Sequence, residues 1–417
     1  MATRYISLRG ILVCAIAALF CSYQFMLQGA PSVMVPQLMA AFDLDVAGIG
    51  WLTSSFVYLY LLFQVPGGYL ADRCNARVLL VICSLLMAVA CYWFSVSEGM
   101  LSAISSRAFM GIVTSPVIVV CMTLASRWFP ERYFPTLAGL IEAFGMIGGG
   151  IGPLVLPNLM DAYGWQGAMR VVACFGIVLA VIIAIFVKNT PAVSESDVKL
   201  HEVTFDDASE SGSNRKASSN RLSFILCCMY GFGLFAVITS FAGLWGIPFF
   251  YERFPGEQEA VADMVALIFI GTAIGAPLLG WLACRVSSTR KIMVICAAIS
   301  PILFSVLIFL PGSMPIMAFF CFMAGFSSGG YILAFSVVKK ISNPARVGIL
   351  LAVTNGSMLL AAPVMQPLIG FILESIGHDG LSALSIQDYQ VAFLPLLVCQ
   401  LLALVVAIFL KEGFKKQ

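Results

Sequence analysis

The chain has 417 residues, of which 60% are hydrophobic and 11% are charged, with a formal net charge of +2. A soluble globular protein carries about 25% charged residues, so a chain this apolar cannot cover a water-facing surface of this size, and lipid must be the solvent for most of it. The near-neutral charge excludes bulk attraction to nucleic acid.

A helix needs about 20 apolar residues to cross a bilayer. Windows of that kind fall at 10–38, 48–70, 77–96, 100–124, 134–157 and 166–188. A second set falls at 222–250, 262–284, 291–310, 314–338, 346–373 and 390–410. The first window follows Arg4 and Arg9 and resembles a secretion signal, but it runs on through Tyr23 to Gln28 with no cleavage site, which predicts a retained helix. Placing the N-terminus inside puts 20 of the 23 basic residues on the inner side, the exceptions being Arg107, Arg170 and Arg253. That bias predicts cytoplasmic N- and C-termini. The stretch 189–221 is rich in Ser, Asp and Glu and predicts a cytoplasmic linker; His201 within it reads as a solvated loop residue. The expected organisation is 1–188, a six-helix bundle; 189–221, the linker; and 222–417, a second six-helix bundle.

The two halves are similar to each other. Gly68-Tyr-Leu-Ala-Asp-Arg-Cys-Asn-Ala-Arg77 matches Gly280-Trp-Leu-Ala-Cys-Arg-Val-Ser-Ser-Thr-Arg290 at offsets of 212 to 213 residues. Gly111 and Gly325, Arg132 and Arg346, and Pro153 and Pro367 keep an offset of 214. Three regions in nearly one register imply an internal duplication.

The turn Gly68–Arg77 resembles the signature of the major facilitator superfamily, Gly-x-Leu-Ala-Asp-Arg-x-Gly-x-Arg/Lys, with Asn75 where Gly is usual. The resemblance covers nearly the whole chain outside the linker. It implies an all-α membrane fold of 12 transmembrane helices in two pseudo-symmetric six-helix bundles, and a transporter rather than an enzyme. Within the motif Gly68 permits close helix approach, Asp72 can accept from the first amides of a neighbouring helix, and Arg73 and Arg77 anchor the turn at the anionic leaflet. These four form a candidate gating motif. Cys284 stands where the second copy would carry its aspartate, so an ionic contact is expected to be absent there.

Arg107-Ala-Phe-Met-Gly111 in the fourth window resembles the family's Arg-x-x-x-Gly pattern. A buried charge at that depth should face the bundle interior. Arg107 can bind a substrate anion or relay protons; it can equally make a structural ion pair or snorkel outward. Glu142 is the one carboxylate well inside an apolar window. It can load and release a proton, or pair permanently with Arg107. Tyr23, Gln24 and Gln28 in the first window, Tyr58, Tyr60 and Gln64 in the second, Tyr230 and Trp245 in the seventh, Tyr331 in the tenth and Asn355 in the eleventh are further polar or aromatic groups. The resemblance implies that helices 1, 4, 7 and 10 line a central cavity. On that basis Arg107, Tyr23, Gln24, Gln28, Tyr230, Trp245, Tyr331 and Asn355 are candidate substrate contacts, and each is as readily a packing residue.

Gly152-Pro153 lacks the following Gly pair of the family's antiporter branches, since Leu-Val-Leu-Pro157 follows it. Arg127-Trp-Phe-Pro-Glu-Arg132 with Gly139, and Asn355 with Gln366-Pro367, look similar to uptake branches for organic anions, organophosphates or dipeptides. The expectation is a secondary active transporter of a small polar organic solute, working by proton-coupled uptake as a monomer in a bacterial inner membrane. A proton-driven exporter and a transporter-like receptor without flux are the alternatives. Thirteen cysteines with no CxxC, and two distant histidines, His201 and His378, read as packing and loop residues, so neither a metal nor another cofactor is expected. No Walker-type Gly-x-x-x-x-Gly-Lys-Ser/Thr is present.

Overall fold

A computed structural model describes residues 8–44, 46–189, 210–286, 288–343, 346–376 and 385–410. All regular structure among them is helical. Ten helices are long and apolar enough to cross a membrane: Leu8–Val33, Ala76–Ser95, Met100–Trp128, Glu131–Phe186, Asn220–Arg253, Ala260–Arg285, Thr289–Phe309, Met314–Ile341, Val347–Ile376 and Ile386–Phe409. The pair Gly48–Leu62 and Gln64–Arg73, bent by 49°, makes one more span. The 56-residue stretch Glu131–Phe186 is too long for a single crossing. It breaks at Gly164, whose φ of 69° and ψ of 170° only glycine adopts freely. It therefore holds two spans, which brings the count among the described residues to twelve. Their outer faces are apolar, with Leu101, Leu154, Phe371 and Phe409 about 70 to 80% exposed. Such surfaces are stable only against acyl chains.

The helix entering the second half begins at Glu210, ahead of the boundary read from composition. Its first turns are polar, so hydropathy locates where the chain enters lipid and not where the helix starts. His201 lies outside the described residues, as do His378 and residues 411–417.

The chain resolves into two compact units, one of Met1–Phe134, Phe144–Ala208 and Asn343–Ala352, the other of Pro135–Ala143, Ser209–Ser342 and Val353–Gln417. Each unit thus takes in one short segment from the opposite half of the sequence. The cause is local. The start of the eleventh span packs on the end of the second, and the start of the fifth packs on the end of the eighth, as detailed below.

Side chains confirm the duplication read from the sequence. In the first unit a Cβ on Gly111 would lie 2.1 Å from the Phe56 carbonyl oxygen. In the second a Cβ on Gly325 would lie 2.0 Å from that of Ile268. In each unit a glycine of the fourth or tenth span thus lets backbone touch backbone of the second or eighth. The guanidinium of Arg77 donates to the Ala184 carbonyl at the end of the sixth span. That of Arg290 donates to Ala407 at 3.3 Å and to Ile408 at the end of the twelfth. Lipid offers no hydrophobic drive for helix association, so close packing of this kind supplies the cohesion. The second unit adds a knot of rings, with Phe241 5.1 Å from Phe304 and 5.2 Å from Phe393 between centroids.

Gly111→Val and Gly325→Val are accordingly expected to cost about 3 kcal/mol or more, through overpacking against backbone that cannot yield. Thermal unfolding in detergent checks this, with Gly50→Ala as control: nothing lies within 4 Å of a Cβ there, and its melting temperature should not fall.

Candidate functional site

Two polar clusters stand out, one in each unit. In the first unit Arg107 is fully buried. The reason is at the end of the first span, where the α-helix runs Leu8–Gly29 and Ala30-Pro31 begins a tighter turn. Pro31 has no amide hydrogen to give the carbonyl of Leu27, four residues earlier. Arg107 supplies the missing donor, with Nη1 2.7 Å from the Leu27 oxygen and Nη2 3.0 Å from that of Gln28. The guanidinium also lies over the Phe56 ring, 5.1 Å from its centroid, and its Nε has no partner. Gln24, on the same helix and 1% exposed, keeps its Oε1 unpartnered. Gln64 of the second span is equally buried with both side-chain polar atoms unpartnered.

In the second unit the centre is Glu142. Among the described residues it is the one buried carboxylate, 4% exposed, and its Oε1 has no hydrogen-bond partner. The hydroxyl of Tyr331 faces it. Tyr331 sits in the tight turn Gly329–Ile332 that interrupts the tenth span. Its ring is set edge-on against Phe235 at 4.8 Å. Ser328 and Ser336, on the same span, are buried with unpartnered hydroxyls. The sequence reading missed both serines; the Gly329-Gly330 pair was the available signal that this helix breaks.

Other candidates have their polar atoms already engaged. Tyr23 donates to the Val172 carbonyl at 3.0 Å and lies 3.7 Å from the Cys91 sulfur. Tyr230 donates to Gly330 at 3.1 Å. Both fasten helices within their own unit. The Trp245 indole donates to the Gln366 carbonyl at 3.1 Å, and Gln366 Nε2 donates back to the Thr239 carbonyl at 2.9 Å. This exchange pins a π-helical stretch, Val237–Trp245, to the eleventh span. π-Helical turns concentrate at functional sites, and hydropathy carries no trace of them. Gln28 is half-buried and meets Arg107 through its backbone oxygen, while Asn355 is buried in the second unit. Tyr58 is about half exposed, and Tyr60 is buried.

The turn after the second span forms a clasp. A Cβ on Gly68 would lie 2.6 Å from the Ala352 Cβ and 2.8 Å from the Gly348 oxygen. That contact brings the Asp72 carboxylate onto the first turn of the eleventh span. There the Gly348 amide donates to Oδ1 at 2.6 Å and the Ile349 amide to Oδ2 at 3.0 Å. A carboxylate at a helix N-terminus gains from both the free amides and the dipole. Arg73 stacks on Tyr69 at 5.4 Å. Asn75 caps the third span, its Oδ1 accepting from the Arg77 and Val78 amides at 3.0 and 3.4 Å. That role accounts for an asparagine at a position where the motif usually has glycine. Arg127 donates to the Asn189 side chain at 2.6 Å and adds positive potential near Asp72.

The family model described as Major Facilitator Superfamily matches residues 14–254 and 247–416. A probable sulfoacetate transporter of Cupriavidus necator is 23% identical over 265 residues, 61% of this chain and 60% of its own length. The D-galactonate transporter of Escherichia coli is 22% identical over 371 residues, 83% of this chain and 85% of its own. Among solved structures, the transporter FucP in its outward conformation superposes with a TM-score of 0.68 at 17% identity, covering 96% of this chain and 100% of FucP. A second structure of FucP, the E. coli fucose:proton symporter, superposes with a TM-score of 0.67 at 16% identity, covering 97% of this chain and 100% of that one.

Proposed function

The chain belongs to the Major Facilitator Superfamily, and from that membership we propose that it is a proton-coupled secondary transporter that takes up a small organic anion by alternating access. The observation that carries the coupling is Glu142, a carboxyl held in the middle of a span with an unspent oxygen and a tyrosine hydroxyl as its neighbour. Among the described residues of its own unit no cation is placed to keep this carboxyl charged, and a proton is the ligand it can take up and give back. The anion class is supported by the buried Arg107, beside which the described residues of its own unit set backbone oxygens and a ring but no carboxylate, and by the likeness to sulfoacetate and galactonate transporters. Within the first unit Gln24 and Arg107 are candidate solute contacts, and within the second, taken by itself, Tyr331, Asn355 and the nearby serines are. We assign both termini to the cytoplasmic side of a bacterial inner membrane, and the working unit to a monomer. The Asp72 clasp then holds the cytoplasmic ends of the second and eleventh spans together, and it must open when the solute leaves inward.

The test is flux into proteoliposomes of a panel of aliphatic carboxylates, sugar acids and sulfonates. An inward proton gradient is expected to raise initial uptake of at least one of them tenfold or more. Uptake of a panel member that ignores the gradient would remove the coupling from this reading. No uptake of any member would remove the anion class.

A further inference from the structure

The clasp at Asp72 has a counterpart one repeat later, in the second unit. Gly280 occupies the place of Gly68, 212 residues on, and a Cβ there would lie 2.4 Å from the Pro135 oxygen and 2.9 Å from the Thr136 nitrogen. One turn further, a Cβ on Gly139 would lie 2.5 Å from the Ala276 oxygen. The end of the eighth span thus presses on the start of the fifth as the end of the second presses on the start of the eleventh. Corresponding residues face each other: Gly348 and Ile349 in the one, Pro135 and Thr136 in the other, 213 residues apart.

The chemistry at the two places differs on both sides of the contact. Where Asp72 accepts from two amides, Cys284 places its sulfur 3.2 Å from the Thr136 hydroxyl. The same thiol also reaches the Gly280 carbonyl at 3.1 Å, and either atom can be the donor in its contact with Thr136. Thiol sulfur is a weak acceptor. On the facing helix the first of the two amides is missing altogether, because Pro135 stands where Gly348 does. A carboxylate placed at residue 284 would find one amide instead of two.

We propose that the chain carries two copies of one helix-end clasp and that Cys284 and Pro135 together have discharged the second. The fifth–eighth contact is then a packing contact only, and Asp72 alone sets how readily these ends separate during transport. This rests on the transporter reading only for its consequence; the clasps themselves can be read without any solute. Cys284 and Pro135 are positioning residues in this account, with no part in binding the solute.

Hydrogen–deuterium exchange on the full-length protein in detergent tests it. Asp72→Asn is expected to speed exchange at Gly348 and Ile349 at least tenfold, whereas Cys284→Ala changes exchange at Thr136 less than threefold. Cys284→Asp with Pro135→Gly should slow exchange at 135 and 136 at least tenfold and lower turnover in proteoliposomes, while Cys284→Asp alone should not. If Cys284→Ala speeds Thr136 as strongly as Asp72→Asn speeds Gly348, the thiol is an equal clasp and the proposal is wrong. If Cys284→Asp alone matches the double variant, Pro135 plays no part. The single variants decide the first point even if the double variant does not fold. Loss of the transport reading would leave the exchange results intact, and failure of the exchange results would leave transport intact.

Discussion

Glu142→Gln is expected to abolish solute accumulation driven by a proton gradient, by about a hundredfold or more, while exchange of solute for solute across the same membrane stays within about threefold of wild type. Glutamine keeps the size and the hydrogen-bonding shape of a protonated glutamate but has no proton to release. Glu142 is 4% exposed, faces Tyr331 and has one oxygen without a partner. Ionisation at such a place is costly unless the surroundings change. Movement between states that expose it to water and states that bury it is what would make proton release depend on conformation. Glutamine freezes the site in its neutral form. The exchange reaction cycles only through loaded states and has no need of deprotonation, so it survives. The measurement is paired gradient-driven uptake and counterflow in the same proteoliposomes. Gradient-driven accumulation persisting in the variant would move the coupling to another residue, and loss of both reactions would make Glu142 a folding or solute-binding group.

The second large effect belongs to Arg107. Arg107→Ala is expected to destabilise the protein by about 2–4 kcal/mol, since it strips the donor from the buried Leu27 carbonyl, at about 1–3 kcal/mol, and from the part-buried one of Gln28, at less. The carbonyl of Leu27 lacks the α-helical donor four residues on, because residue 31 is proline. Arg107→Lys should recover only part of this: an ammonium is a point donor on a flexible stem and cannot span the Leu27 and Gln28 oxygens as the guanidinium fork does at 2.7 and 3.0 Å. Denaturant titration in mixed micelles reads the stability, and solute binding measured on the folded fraction reads the rest. An alanine variant as stable as wild type would mean that the end of the first span does not need this cap. A stable lysine variant that has lost binding would make the guanidinium a solute contact first.

These two residues show how far the sequence carried. Arg107 and Glu142 were visible as charges within apolar windows, and both are buried. The alternatives left open for Arg107 included a structural ion pair. Among the described residues of the first unit its neighbours are backbone oxygens and an aromatic ring, and within the second unit Glu142 has Tyr331 as its neighbour. The need for the cap at Leu27 was written in Pro31, but which side chain would meet it depends on how the fourth span lies against the first. Tyr23 and Tyr230 were candidate cavity residues because the family resemblance sets the first and seventh helices around a cavity. The neighbouring helices supply carbonyls that take their hydroxyls, and no pattern along one helix foretells that.

The clasp divides the same way. Composition, hydropathy and the repeat register determined a twelve-span, two-bundle membrane protein, because lipid forces backbone polar groups into helices and makes apolar length directly countable. The Gly68–Arg77 turn determined the family, because close approach and an acidic helix cap need those residue types at that spacing. Only the tertiary structure decided that Asp72 meets Gly348 and Ile349, that Pro135–Ala143 packs in the second unit, and that Gly280 meets Pro135 and Cys284 meets Thr136 across the second copy. Those contacts join residues far apart in the chain, and their strength rests on directions of amides and carbonyls that a one-dimensional pattern does not hold.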